Sequence, residues 1–178
     1  MTGGTAAMSS AAPRHRLLVW IDRSVGALAC LGILVMLASA VAQVVLRYLL
    51  SAPPSWTEEL ARYAMVWGGL LGAASTFYAG ADPVLTRGFA DRADWTGVIA
   101  AWARCVGVLI FVGPITYHAL VGPGMDFARG YVARSHGRTA EALEVPMSTF
   151  TTAIPVAFGL IALYAVATLV ARLLRRRR

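Results

Sequence analysis

The residues of this chain that could bind metal, move protons or attack a substrate are two cysteines, three histidines and nine acids. Their spacing assembles none of those chemistries. Cys30 and Cys105 both fall inside apolar runs, with no C-x-x-C spacing and no histidine nearby, and read as small buried hydrophobes. His118 is the one histidine inside such a run. A metal or haem site needs further ligands, so His118 reads as a hydrogen-bonded interface residue. No H-E-x-x-H, glycine-rich phosphate loop or G-x-S-x-G occurs. A small proton-coupled exporter would place a carboxylate in mid-membrane, and a haem anchor would pair histidines there. The expected set of catalytic, cofactor-binding and metal-ligating residues is empty.

What polar pattern there is lies between residues 47 and 63. Pro53 and Pro54 stop any helix arriving from the N-terminal side. Ser55 and Glu58 then have the S-x-x-E spacing of a capping box, which predicts a short interfacial helix starting there. Two acids in a first turn also suit the helix dipole. Arg62 stands four residues after Glu58 and three after Glu59, within reach of either. One of the acids could instead meet Arg47. A capped helix start explains Ser55, Glu58 and Arg62. Two adjacent acids at a membrane boundary suggest more: Arg47, Trp56, Glu58, Glu59 and Arg62 are the expected structural or subunit-contact residues. Beyond them Ala64, Gly68, Gly72, Thr76 and Gly80 recur every fourth residue, a small-residue stripe, Gly68 and Gly72 at its centre, that lets helices approach closely in lipid.

These residues need elements to hold them, and the composition names the solvent. Apolar residues make up 58% of the 178 and charged residues 14%, against about 45–50% and about 25% in soluble domains. A spanning helix needs about 20 mostly apolar residues, and four stretches qualify: 24–46, 63–81, 105–125 and 145–171. Backbone groups in lipid must bond within their own segment, so each is predicted helical. Trp20, Tyr48, Trp56, Trp67, Trp95 and Trp102 lie near the predicted boundaries as interfacial anchors. The net charge of +7 comes entirely from arginines sitting mostly between or beyond the apolar runs, which suits anionic lipid and not nucleic acid. Arg14, Arg16, Arg23, Arg87, Arg92, Arg104, Arg172 and Arg175 to Arg178 outnumber Arg47, Arg62, Arg129, Arg134 and Arg138 across the four spans, so both termini are expected in the cytoplasm. Ala38, Ser39 and Ala40 imitate a signal cleavage site, but the apolar run continues through Leu46, which favours a retained helix. The expectation is an all-α integral membrane protein. Residues 1–16 form a disordered cytoplasmic tail, 17–174 hold four transmembrane helices with a short interfacial helix between the first and second, and 175–178 form a basic tail.

Three elements occur in order along this frame: Q-V-x-x-R-Y at 43–48, W-x-E-E-x-x-R-Y at 56–63 and V-W-x-x-x-L-G-A-A at 66–74. Together with Leu143, Pro146 and Met147 and then Ile154, Pro155 and Gly159, they make residues 17–172 resemble the small membrane subunit of tripartite ATP-independent periplasmic (TRAP) transporters. After its second helix that family shows a glycine, a histidine two residues on, and then an acid; here Gly80 is followed by Asp82 and Thr86 in those places. The resemblance implies a bacterial inner-membrane system in which a periplasmic binding protein delivers a carboxylate-bearing solute. The large membrane subunit would carry the substrate and sodium sites. This chain, without cofactor or catalytic role, would brace that subunit within the lipid bilayer. The loop 126–144 then faces outward and is expected to offer Arg129, Arg134 and Arg138 to the binding protein. A membrane anchor or assembly subunit of another complex fits the same composition.

Overall fold

A computed structural model of the chain describes residues 16–49, 51, 54–80, 95–122 and 125–176. Four long helices carry the fold: α1 (Arg16–Leu49), α2 (Ser55–Ala79), α3 (Trp95–Leu120) and α6 (Ala153–Arg176). Between α3 and α6 lie a 3-10 turn (Phe127–Arg129) and two short helices, α4 (Tyr131–His136) and α5 (Ser148–Thr151). The described residues form no strand beyond isolated bridges at Gly122–Asp126 and Thr139–Pro146.

Side-chain pairs fix how the helices run. On α1 and α2, Gly26 faces Ser75 and Gly32 faces Gly68, so the two are antiparallel. Tyr63 meets Phe150 of α5, just before α6, and Tyr78 meets Tyr164 of α6, so α2 and α6 run parallel. Phe111 of α3 meets Phe158 of α6, and Arg172 reaches the Gly97 carbonyl, so α3 opposes α6. The packing order is α1, α2, α6, α3, and the far ends of α1 and α6 fall at one end of the bundle. The opposite end carries residues 125–147 as a folded cap.

The core is thin and made of small side chains. Val25, Ala29 and Leu71 cluster between α1 and α2, joined by Ile21, Trp67 and Leu160. Cys105, Ala165 and Leu169 do the same between α3 and α6, with Phe77 laid against them. Tyr164 is fully buried between the two. Outside this core α1 exposes Leu28, Leu31, Leu34, Leu37, Val41 and Val44, and α3 exposes Ile99, Ile110 and Phe111. Apolar surface of that extent needs lipid or another protein against it.

Three of the four segments, α1, α3 and the continuous stretch Ser148–Leu174, are long and apolar enough to cross a membrane. The expected span 63–81 is not among them, since Gly68, Gly69, Gly72, Ser75 and Thr76 dilute α2 and Glu58, Glu59 and Arg62 charge its start. The separate interfacial helix is also absent, because Ser55 to Arg62 are the first turns of the continuous 25-residue α2. α1 runs for 34 residues, about 50 Å, and therefore overshoots the expected 24–46 at both ends. α3 starts ten residues before the expected 105 and stops at Leu120, not 125. The last span divides at Thr152 into α5 and α6 and continues to Arg176. Residues 1–15, Pro53, Asp82, Thr86, Arg87, Arg92, Arg177 and Arg178 lie outside the described residues, as do the side chains of Arg175 and Arg176.

Candidate functional site

The start of α2 is built differently from a capping box. Pro54 occupies the N-cap in extended conformation and contributes no side-chain bond. Ser55 thereby becomes the first helical residue, too late to cap, and it is exposed. Thr57 takes over the local bonding: its hydroxyl, fully buried, donates to the Pro54 carbonyl at 2.8 Å. Glu58, released from capping, forms an exposed ion pair with Arg62 one turn on. Such pairs contribute a few tenths of a kcal/mol at most, about 0.3–0.5.

Glu59 does something else. Its Oε2 accepts two backbone amides from a distant segment, Ala142 N at 3.0 Å and Leu143 N at 2.8 Å. The segment is shaped for this. Ala140 N donates to the Val145 carbonyl at 2.9 Å and Met147 N to the Arg138 carbonyl at 2.8 Å, closing a tight loop. Glu144 closes the turn in the left-handed region at a φ of 52°. A carboxylate accepting paired amides is among the stronger hydrogen-bond arrangements a protein makes. Arg47 is not its partner. The guanidinium is exposed at the end of α1 and pairs with neither acid, since both are already engaged.

Further contacts fasten the same cap. Trp67 Nε1 donates to the Thr149 carbonyl at 3.0 Å, and Tyr63 meets Phe150 edge-on. Trp67 is thus turned toward the core cluster of Val25, Ala29 and Leu71. The hydroxyls of Ser135 and Thr151 share a buried bond of 2.7 Å, and His136 Nδ1 lies 3.1 Å from Ser148 Oγ. Gly130 sits so close under the end of α3 that a Cβ there would collide with the Leu120 carbonyl. Residues 125–147 are therefore fixed on three helices and cannot be treated as a free loop.

The small-residue stripe is half realised. A Cβ on Gly32 would lie 2.9 Å from the Cα of Gly68, and one on Gly68 would lie 3.2 Å from the Ala29 carbonyl. α1 and α2 touch backbone to backbone there. Gly72 is looser, its nearest neighbour being the Ala29 Cβ at 3.9 Å. Thr76 leaves the seam and bonds back to the Ala73 carbonyl, while Gly80 caps α2 at a φ of +68°.

Of the remaining expected contact residues, Trp56 is half-exposed beside Arg47's end of the bundle. Arg129 is tied to Asp126 at 3.5 Å. Arg134 and Arg138 are exposed and pair with no acid among the described residues. His118 is exposed against the Tyr117 ring, in place of the expected hydrogen bond.

Three polar side chains make bundle contacts that the sequence reading did not assign to them. Asp22 lies inside α1 and accepts the Ser75 hydroxyl at 2.9 Å. Its place on the face of Val25 and Ala29, three and seven residues on, was the available signal. Arg104, expected before its span, lies inside α3 with its guanidinium 4.4 Å over the Phe77 ring. Arg172 Nη1 reaches the Gly97 carbonyl at 3.3 Å. All three belong to the end of the bundle away from the cap. Among the described residues no group of three or more His, Cys, Asp or Glu comes together.

The arrangement is suited to holding helices in fixed relation. Comparison with curated proteins and with solved structures gives no match. The sequence model of the family described as "Tripartite ATP-independent periplasmic transporters, DctQ component" matches residues 36–175. That range contains the Gly68 side of the helix seam, the Glu59 clamp and the whole cap, and the chain belongs to this family of small TRAP transporter components.

Proposed function

We propose that the chain is the small, non-catalytic subunit that braces the large membrane subunit of a TRAP-type importer in the bacterial inner membrane. The observation that carries this is the family match across 36–175. The bracing role draws support from the way the cap, α2 and α5 are cross-linked by Glu59, Trp67 and the Ser135–Thr151 bond. A scaffold for a moving partner needs internal contacts that do not yield. The exposed apolar face of α1 suits a neighbouring helix of that partner.

In this reading α2 crosses the bilayer as well, because α1 and α6 flank it over most of its length. Four crossings with alternating direction place both termini on one side, and the excess of arginine there assigns that side to the cytoplasm. The cap then faces the periplasm and is the surface a solute-loaded binding protein meets, with Arg138 exposed upon it. Sodium coupling and recognition of a carboxylate-bearing solute are assigned to the large subunit.

Reconstitution tests this directly. The large subunit should take up solute in proteoliposomes with the binding protein and a sodium gradient only when this chain is included. Equal uptake without it would remove the bracing role.

A further inference from the structure

The cap end of α3 carries a groove that the bracing role does not use. It has a volume of about 530 Å³ and is walled by Pro114, Ile115, Ala119 and Ile154, with His118 and Arg134 at its rim. The size falls within the roughly 300–1,000 Å³ of ordinary ligand pockets. From Pro114 to Ala119 the wall follows α3 for about 8 Å. The lower wall is apolar. The rim is polar and basic: Arg134 is exposed without an acidic partner among the described residues, and His118 is exposed beside it.

We propose that this groove is a binding site for a membrane glycerophospholipid, with one acyl chain along Pro114, Ile115 and Ile154 and the phosphate against Arg134. Charge complementarity selects the occupant. An apolar slot capped by an unpaired guanidinium matches an amphiphile with an anionic head and a hydrocarbon tail. Tyr117, Phe127 and Tyr131 are exposed at the same end, at the level where aromatic side chains meet headgroups. The site rests on the reading of α3 and α6 as bilayer-spanning, and its lipid belongs to the leaflet on the cap side.

Native mass spectrometry of the full-length chain in mild detergent tests it, titrating phosphatidylglycerol, diacylglycerol and inorganic phosphate separately. Phosphatidylglycerol should be retained on the unaltered chain and bind about tenfold more weakly to Arg134→Gln. Arg134→Lys should recover most of that loss. Ala119→Phe, which fills the groove, should lose the lipid while its circular dichroism stays unchanged; where it does not fold, the Arg134 pair decides alone. Diacylglycerol should bind no better to the unaltered chain than to Arg134→Gln, and inorganic phosphate should not bind. Equal retention of phosphatidylglycerol by the unaltered chain and Arg134→Gln would overturn the site, as would inorganic phosphate binding as tightly as the lipid. Failure of the chain to insert in membranes would be a different result, one that sinks the bilayer reading itself.

Discussion

Replacing Glu59 by alanine should release the cap from α2. Two amides at 3.0 and 2.8 Å lose their acceptor. A hydrogen bond to a charged group contributes about 1.5–3 kcal/mol net. Glu59 is only partly buried, and water can reach the freed amides, so the low end applies to each. The total is about 3 kcal/mol for Glu59→Ala. Glu59→Gln keeps an oxygen in place without the charge and should cost about half as much. Hydrogen exchange reads the effect at its source. If the loop around residues 138–147 opens as a unit, 3 kcal/mol corresponds to about a hundredfold faster exchange at Ala142 and Leu143. Glu58→Ala is the matched control one residue away, since it breaks only an exposed ion pair and should leave those amides within about twofold of their original rate. Unchanged exchange at Ala142 and Leu143 in Glu59→Ala would refute the clamp.

Other consequences follow from the same geometry. Gly32→Val must push α1 off the Gly68 backbone and should cost about 1–3 kcal/mol, seen as a lower unfolding temperature in detergent. Gly69→Ala meets nothing within 4 Å and should be neutral or stabilising by up to about 1 kcal/mol in the same assay. Ser135→Ala removes one buried hydrogen bond while the Thr151 hydroxyl keeps the Ser148 carbonyl, and should cost about 0.5–1.5 kcal/mol by thermal unfolding. Arg47→Ala should leave the stability of the isolated chain unchanged within about 0.5 kcal/mol, so any loss of uptake in that variant would be read at the subunit interface.

The helices were legible because burial in lipid demands long apolar runs whatever the partners are. Their ends were less so, for a physical reason. A hydropathy reading stops at a charge, but α3 runs through Arg104, whose guanidinium lies over Phe77 and whose stem can stay within the bundle. The capping box failed because the spacing of Ser55 and Glu58 is blind to which residue takes the N-cap, and Pro54 takes it. Of Arg47, Trp56, Glu58, Glu59 and Arg62, the described contacts tie Glu59 alone to distant structure. Its partners are backbone amides 83 and 84 residues away, and no side-chain pattern announces an amide pair. Gly68 was legible as a contact residue, while Gly32 opposite was not, because Gly26 and Gly32 stand six residues apart and form no four-residue repeat. The cap was read as a loop since its order comes from backbone bridges and the buried Ser135–Thr151 pair, features that composition does not carry.

The central claim is that this chain works as a fixed part of a larger transporter, and its companions in the membrane test that most directly. Affinity purification from native membranes in mild detergent, followed by mass spectrometry, should recover a large polytopic subunit in stoichiometric amount. A chain that comes down alone, or with an unrelated complex, would contradict the account.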